Sequence, residues 1–335
     1  MGIYKKMEEG DKRITMLYKI IALYSRPTPR RELTSRQLMG VDFSDLPVNM
    51  ISDFLKDHLG PIDHAELGRN SDTILTPRLV LKFIKDPTPE GQLFTCYLEG
   101  MVGSLVRHYY DMVPEVALID DALLVRQVYR KVGAKEIQFP PHAFLVCPRI
   151  NGLNLKDVVT RSRSLKKFQE NASTLFFQMG KLAFIDLVLF IGDRLVRLQR
   201  RPAEAKPVTQ STNLGNMMAI EDSRGKYIHI TAIDNMPGAI SQQILEMTDN
   251  LESLIANPNW NIDVAKMVAR NLSARFACDY SLVRDRFSAG LLEGFRTIQE
   301  MECPKQAEIM PTKDTRFTAR LSKYLEAVYN KITHI

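Results

Sequence analysis

Cysteine is scarce in this chain, and so is every pattern that would let it staple a fold. Its 335 residues hold four cysteines, Cys96, Cys147, Cys278 and Cys303, with no Cys-x-x-Cys pair, and the six histidines do not cluster. A disulfide framework and a structural zinc site are thereby excluded as organising devices, and a reducing, cytoplasmic compartment is expected. Long hydrophobic runs are missing too. The longest, Leu182 to Gly192, is interrupted by Asp186 and falls short of the roughly 20 apolar residues a membrane-spanning helix needs. The opening MGIYKKMEEGDKR has no apolar segment of the secretory type, and Lys6 stands where an N-myristoylation motif wants Ser or Thr. Neither sign of charge dominates: 45 Lys and Arg against 39 Asp and Glu leave +6. That mild excess suits an anionic ligand or surface and is too small to argue for nucleic acid. No internal repeat or low-complexity tract is visible.

What is present is an ordinary globular composition, 45% hydrophobic and 25% charged. At roughly 150 residues per domain the length suits two domains or one two-lobed one. Residues 1–45 read as a helical N-terminal extension, with an apolar stripe in TMLYKIIALY (15–24). TILTPRLVLKFIKD (73–86) carries β-branched and apolar runs that predict strands, and GQLFTCYLEGMVGSLVRHYY (91–110) predicts a long helix. HAFLVCPRINGLNLKDVV (142–159) starts as a buried strand and turns at Asn151-Gly152. Helices are expected over about 165–190. MMAIED (217–222) and YIHITAID (227–234) flank SRGK (223–226) and predict a hairpin. Everything after about Ser241 reads as helical. This order predicts an α+β fold rather than a doubly wound one.

Four elements carry chemistry. Lys82 sits in VLKFIKD with apolar neighbours on both sides, where an ammonium is costly unless an anion receives it. Glu99 follows 17 residues later on the predicted helix, which can bring its carboxylate to Lys82. FIDLVLFIGDRLVR (184–197) ends an apolar segment on Asp193 and Arg194. Finally, STNLGNMMAI (211–220) places an asparagine before one strand of the hairpin, and ITAIDN (230–235) ends the other on Asp234. The two strand ends would lie close together, so Asn216 and Asp234 are expected to share a divalent cation such as Mg²⁺, which takes oxygen ligands. Asn213 is the alternative to Asn216, which is preferred because it abuts the strand.

Lys on a strand, Glu on the next helix, GDR, Asn before a strand and Asp after it resemble, in that order, the signature of a protein-kinase-like fold. GDR…GN…AIDN is similar to the atypical phosphatidylinositol 3/4-kinase and HipA-like branch, and MVPE (112–115) resembles the close of the equivalent helix there. The resemblance covers roughly 63–240. It implies a two-lobed α+β fold: a β-rich N-lobe with hinge over 46–150, and a mostly helical C-lobe over 151–335. It also implies ATP and Mg²⁺ (or Mn²⁺) as cofactors. Lys82 would hold the α/β-phosphates and pair with Glu99, Asp193 would orient or deprotonate the acceptor hydroxyl, and Asn216 and Asp234 would bind the metal. FLVCPRINGL (144–153), with Val146, Cys147 and Arg149, would be the adenine-holding hinge, and AELGRNSDTI (65–74), with Gly68, the loop over the phosphates.

The chain departs from ordinary kinases in spacing. They place the catalytic Asn about five positions after the Asp; here 216 − 193 = 23. The insertion 194–210 holds Arg194, Arg197, Arg200, Arg201 and Lys206 against Glu204 alone. Such a cluster reads either as a solvated loop or as a phosphate-binding anion pocket. Further basic groups lie at RQVYRKVGAK (126–135) and RSRSLKK (161–167). An inositol polyphosphate such as inositol hexakisphosphate, or a phosphoinositide headgroup, is the expected partner of these groups. The C-terminal TRFTARLSKYLEAVYNKI (315–332) reads as an amphipathic helix, packed on its own domain or lying peripherally on an anionic membrane. The expected activity is an atypical protein Ser/Thr kinase resembling secreted bacterial effectors that act in the host-cell cytoplasm. A phosphoinositide kinase and a pseudokinase anion sensor are the alternatives.

Overall fold

The computed structural model describes residues 64–67, 71–75, 79–114, 116–120, 125–126, 128–130, 141–199, 207–211, 213–237, 250–309 and 315–334. The expected N-terminal extension, Gly68, Arg200, Arg201 and Lys206 lie outside them. The chain divides into two compact units, Met1–Gly100 with Pro114–Ile150, and Met101–Val113 with Asn151–Ile335.

In the first unit, β1 (His64–Leu67), β2 (Ser71–Leu75), β3 (Leu79–Ile84), β4 (Ala117–Ile119) and β5 (Phe144–Pro148) form one sheet in the order β1-β2-β3-β5-β4. All four pairings are antiparallel. The central strand β3 alternates burial along LVLKFI: Leu79, Leu81 and Phe83 are buried, while Val80 and Lys82 are half-exposed. That alternation is the period-2 pattern of a sheet with one covered face. The helix α1 (Pro89–Tyr109) then begins behind a local cap. Thr88 N–H and its hydroxyl both donate to Asp86 Oδ1, at 2.8 and 2.7 Å, and Gly91 N–H donates to Thr88 Oγ1. Such capping supplies partners to the first amides of a helix, which have none within it. Cys96 of α1 packs with Ile84, Ala143 and Leu145 under the sheet.

The second unit holds β6 (Gly152–Asn154), α2 (Leu155–Thr160), α3 (Ser162–Glu170) and α4 (Ala172–Val188), followed by β7 (Val196–Leu198), β8 (Val208–Gln210), β9 (Met217–Glu221) and β10 (Tyr227–Ala232). It continues with α5 (Trp260–Phe276), α6 (Tyr280–Glu300), α7 (Gln306–Ile309) and α8 (Thr315–His334). β10, β9 and β6 make a three-stranded sheet, and the expected hairpin carries a bulge between Tyr227 and His229. Met101–Val113, the end of α1 and its exit, groups with this unit: Tyr110 O–H donates to Ile230 C=O and Thr231 O–H to Met112 C=O. α4 is apolar nearly all round and buried, as a central helix should be. It lies against α6 so closely that a Cβ at Gly180 would overlap the Phe287 carbonyl, and one at Gly290 the Phe177 carbonyl. Phe168, Phe176 and Phe276 join α3, α4 and α5, with the rings of Phe168 and Phe276 stacked 4.2 Å apart.

One expectation changes here, and the C-terminal helix takes the first of its two readings, packed on its own domain. The insertion 194–210 is not a plain loop: its described arms, β7 and β8, pair antiparallel, with Val196 and Leu198 buried and Arg197 exposed. The C-terminal helix α8 buries Phe317, Leu321, Tyr324, Leu325 and Val328 within the protein. Its apolar stripe is therefore not offered to a membrane, and Lys331 is no surface charge: it is buried and bridges Glu252 at 2.7 Å. No described helix is long and apolar enough to cross a membrane.

Candidate functional site

Lys82 and Glu99 belong to the first unit. Strand alternation turns Lys82 away from the face that buries Leu81 and Phe83, and its Nζ donates to both carboxylate oxygens of Glu99, at 2.7 and 2.9 Å. The side chains are 16% and 5% exposed. An ion pair this enclosed is strengthened by its surroundings and costly to break from one side. β5 pairs beside Lys82: Val80 stands opposite Cys147, Leu81 opposite Val146 and Lys82 opposite Leu145. Val146 is buried, while Cys147 and Arg149 are half-exposed.

The other candidates gather in the second unit, around the exit of α4. Leu189 N–H still bonds back to Ile185 C=O, then Phe190 takes a left-handed conformation (φ 55°) and Ile191 N–H returns to Asp186 C=O at 2.8 Å. Tyr324 O–H of α8 donates to Leu189 C=O at 2.7 Å. This sharp, tied turn carries the chain through Gly192 to Asp193, whose Oδ2 accepts the side-chain N–H of Asn216 at 2.6 Å. Asn216 closes the short 3-10 turn Leu214–Asn216, capped by Asn213, whose Oδ1 accepts Gly215 N–H at 3.2 Å. The two asparagines thus differ: Asn213 faces its own turn and Asn216 faces Asp193. Asn216 C=O accepts Ile233 N–H at 3.1 Å, which sets Asp234, the next residue, beside it. Asp193, Asn216 and the backbone at Asp234 are thus drawn together from three segments.

Arg194 is where the sequence reading fails. Its expected place was an anion pocket, yet its side chain is 0% exposed. Nη1 donates to Asp186 Oδ1 of α4, and Nη2 donates to Asp234 C=O at 2.7 Å and to Asn235 Oδ1 at 2.5 Å. A guanidinium so engaged is not presented to a ligand. Burial pushes the Asp186 carboxyl up to about 7, against the pull of Arg194. Asp186, Asn235 and Asn154 had not been expected at the site. Asn154 donates to Gly215 C=O at 2.6 Å while its Oδ1 caps α2 through Lys156 N–H. Their only sequence signal was a polar residue inside or beside an apolar segment.

Two carboxylates and an amide oxygen are the donors a hard divalent cation takes. No group of three or more His, Cys, Asp or Glu among the described residues could hold a metal ion, so a cation at Asn216 and Asp234 needs substrate or water oxygens to complete its shell. No family model and no curated protein matches the chain. Among solved structures it is similar to WbdD, seen in co-crystal with the kinase inhibitor LY294002, at 14% identity and a TM-score of 0.28. That likeness covers 78% of this chain and 50% of that one, so the chain spans about half the length of that protein.

Proposed function

We propose that the chain is a Mg·ATP-dependent phosphotransferase of the atypical kinase type, acting on a hydroxyl of a protein. The observation that supports this most is the hydrogen bond from Asn216 to Asp193 with Asp234 alongside. An acid–base carboxylate and an oxygen-ligand pair are what phosphoryl transfer asks of a protein, because catalysis there is positioning and charge neutralisation. Asp193 orients the acceptor hydroxyl and takes its proton as the γ-phosphoryl group passes to that oxygen and ADP leaves. Asn216 and Asp234 would hold Mg²⁺, and the ion would supply charge neutralisation for the phosphate oxygens. Lys82, braced by Glu99, holds the α- and β-phosphates, and Val146, Cys147 and Arg149 line the adenine. An inositol polyphosphate activator would rest on Arg197 with Arg200, Arg201 and Lys206, without Arg194.

The test is transfer of labelled γ-phosphate from ATP with Mg²⁺ or Mn²⁺. Acceptors are the protein itself, a generic basic protein and phosphoinositide vesicles, each with and without inositol hexakisphosphate. Label on protein that vanishes with Asp234→Ala supports the reading. Label in lipid makes the chain a phosphoinositide kinase, and ATP binding with no transfer makes it a pseudokinase.

A further inference from the structure

Arg194 follows Asp193 directly, yet the two side chains serve different neighbours. Asp193 receives Asn216, while Arg194 runs inward and spans Asp186 on α4 and the Asp234–Asn235 pair beyond β10. Asp234 is held at φ 66°. Aspartate tolerates the left-handed region better than most residues, and contacts on both sides of it can hold it there. Two contacts hold it there: Arg194 Nη2 donates to both the Asp234 carbonyl and Asn235 Oδ1, and Ile233 N–H is fixed to Asn216 C=O. Asn235 is 3% exposed and Arg194 fully buried. With Nη1 on the Asp186 carboxylate and Nη2 on the Asp234 and Asn235 oxygens, the planar guanidinium spans both sides at once, which a lysine ammonium cannot imitate.

We infer that Arg194, braced by Asp186, is the positioning residue of the candidate site, locking Asp234 in its left-handed conformation and tying it to the segment that carries Asp193. This deepens the phosphotransferase reading and, for turnover, rests on it. The positioning itself is a property of the backbone and is testable without turnover.

Arg194→Lys keeps the charge and removes the fork. Because a lone truncation would bury the Asp186 charge unpaired, the second variant is Asp186→Leu/Arg194→Met, which removes both charges together and is expected to fold. Hydrogen exchange is followed over residues 230–237, with α6 as the control, beside Mg·ATP turnover. In both variants exchange over 230–237 is expected to rise about tenfold or more with α6 unchanged. Turnover is expected to fall about a hundredfold with the KM for ATP within about threefold. Unchanged exchange over 230–237 in the folded double variant overturns the inference. So does a rise spread equally over α6, which would make Arg194 a general core residue, and so does turnover within threefold of the unsubstituted protein. If the unsubstituted protein transfers nothing, the phosphotransferase reading falls, and the exchange result alone decides for or against the positioning role.

Discussion

Asn216 donates its side-chain amide to Asp193 at 2.6 Å across 23 residues of chain. This single contact joins the exit of α4 to the start of β9, and through the Asn216 carbonyl to the end of β10. If Asp193 takes the proton of the acceptor, Asp193→Asn should cut kcat by about 10²–10⁴. Asn216→Ala should act differently: if Asn216 is a cation ligand, the variant loses that as well as a contact to Asp193, so part of the loss should be recovered by raising Mg²⁺. Steady-state kinetics at several Mg²⁺ concentrations check both. A Asp193→Asn variant with unaltered kcat would remove Asp193 from the reaction.

Lys82 and Glu99 allow their structural and functional roles to be separated. Lys82→Met leaves a 5%-exposed carboxylate without its ammonium, and breaking an enclosed pair from one side costs about 3–5 kcal/mol. Replacing both, as Lys82→Met/Glu99→Leu, should recover most of the melting temperature. If Lys82 holds the phosphates, turnover should stay down by about a hundredfold or more, because that charge is still gone. Calorimetry and kinetics on the two variants decide it. A double variant that recovers both would make the pair purely structural.

The pH dependence of stability should carry the mark of Asp186. Its carboxyl is raised from 3.8 to about 7, with burial as the cause and Arg194 opposing. Between those values the native state binds more protons at this group than the unfolded chain does. Its contribution to stability is therefore present below the ordinary carboxylate range and is lost as the pH rises toward 7. Asp186→Asn does not titrate, so the melting temperature of the variant relative to the unsubstituted protein should climb between pH 4 and 7. A flat difference would show that Arg194 keeps Asp186 ionised throughout.

Glycine substitutions test the helix packing. A Cβ at Gly290 has the Phe177 carbonyl in its place, and the opposing backbone cannot swing aside as a side chain can. Gly290→Ala should lower the melting temperature by about 5 °C or more, from an overpacking cost of about 1–3 kcal/mol. A Cβ at Gly100, in α1, meets nothing within 4 Å, so Gly100→Ala should stabilise by about 0.5–1 kcal/mol. Thermal melts of the two variants give the sign in each case.

The features that were legible in the sequence are those set by neighbours along the chain. β-branched and apolar runs marked β2 and β3, and the turn SRGK marked the β9–β10 hairpin, because backbone geometry repeats locally. The order of Lys82 and Glu99 was a weak signal alone; the resemblance to the kinase-like signature, counted back from MVPE, singled Glu99 out, and the pair forms. The preference for Asn216 over Asn213 came from adjacency to a strand; in the fold Asn216 reaches Asp193, while Asn213 caps its own turn.

Arg194 shows where this stops. In sequence it opens a basic run and reads as a surface charge; in the fold it is the most deeply enclosed cation among the described residues. Its environment is made by Asp186, eight residues back, and by Asp234 and Asn235, some forty ahead. Burial and hydrogen-bond partnership belong to the assembled three-dimensional neighbourhood, and no local pattern encodes them. Nor does a local pattern encode the left-handed turn at Asp234, the closeness of α4 to α6 at Gly180 and Gly290, or the hydroxyl of Tyr324 on the Leu189 carbonyl. The residue types and their order along the chain were the sequence's own contribution. Which charges face a ligand and which hold the backbone was decided by tertiary packing, because only there do segments distant in the chain compete for the same donors and acceptors.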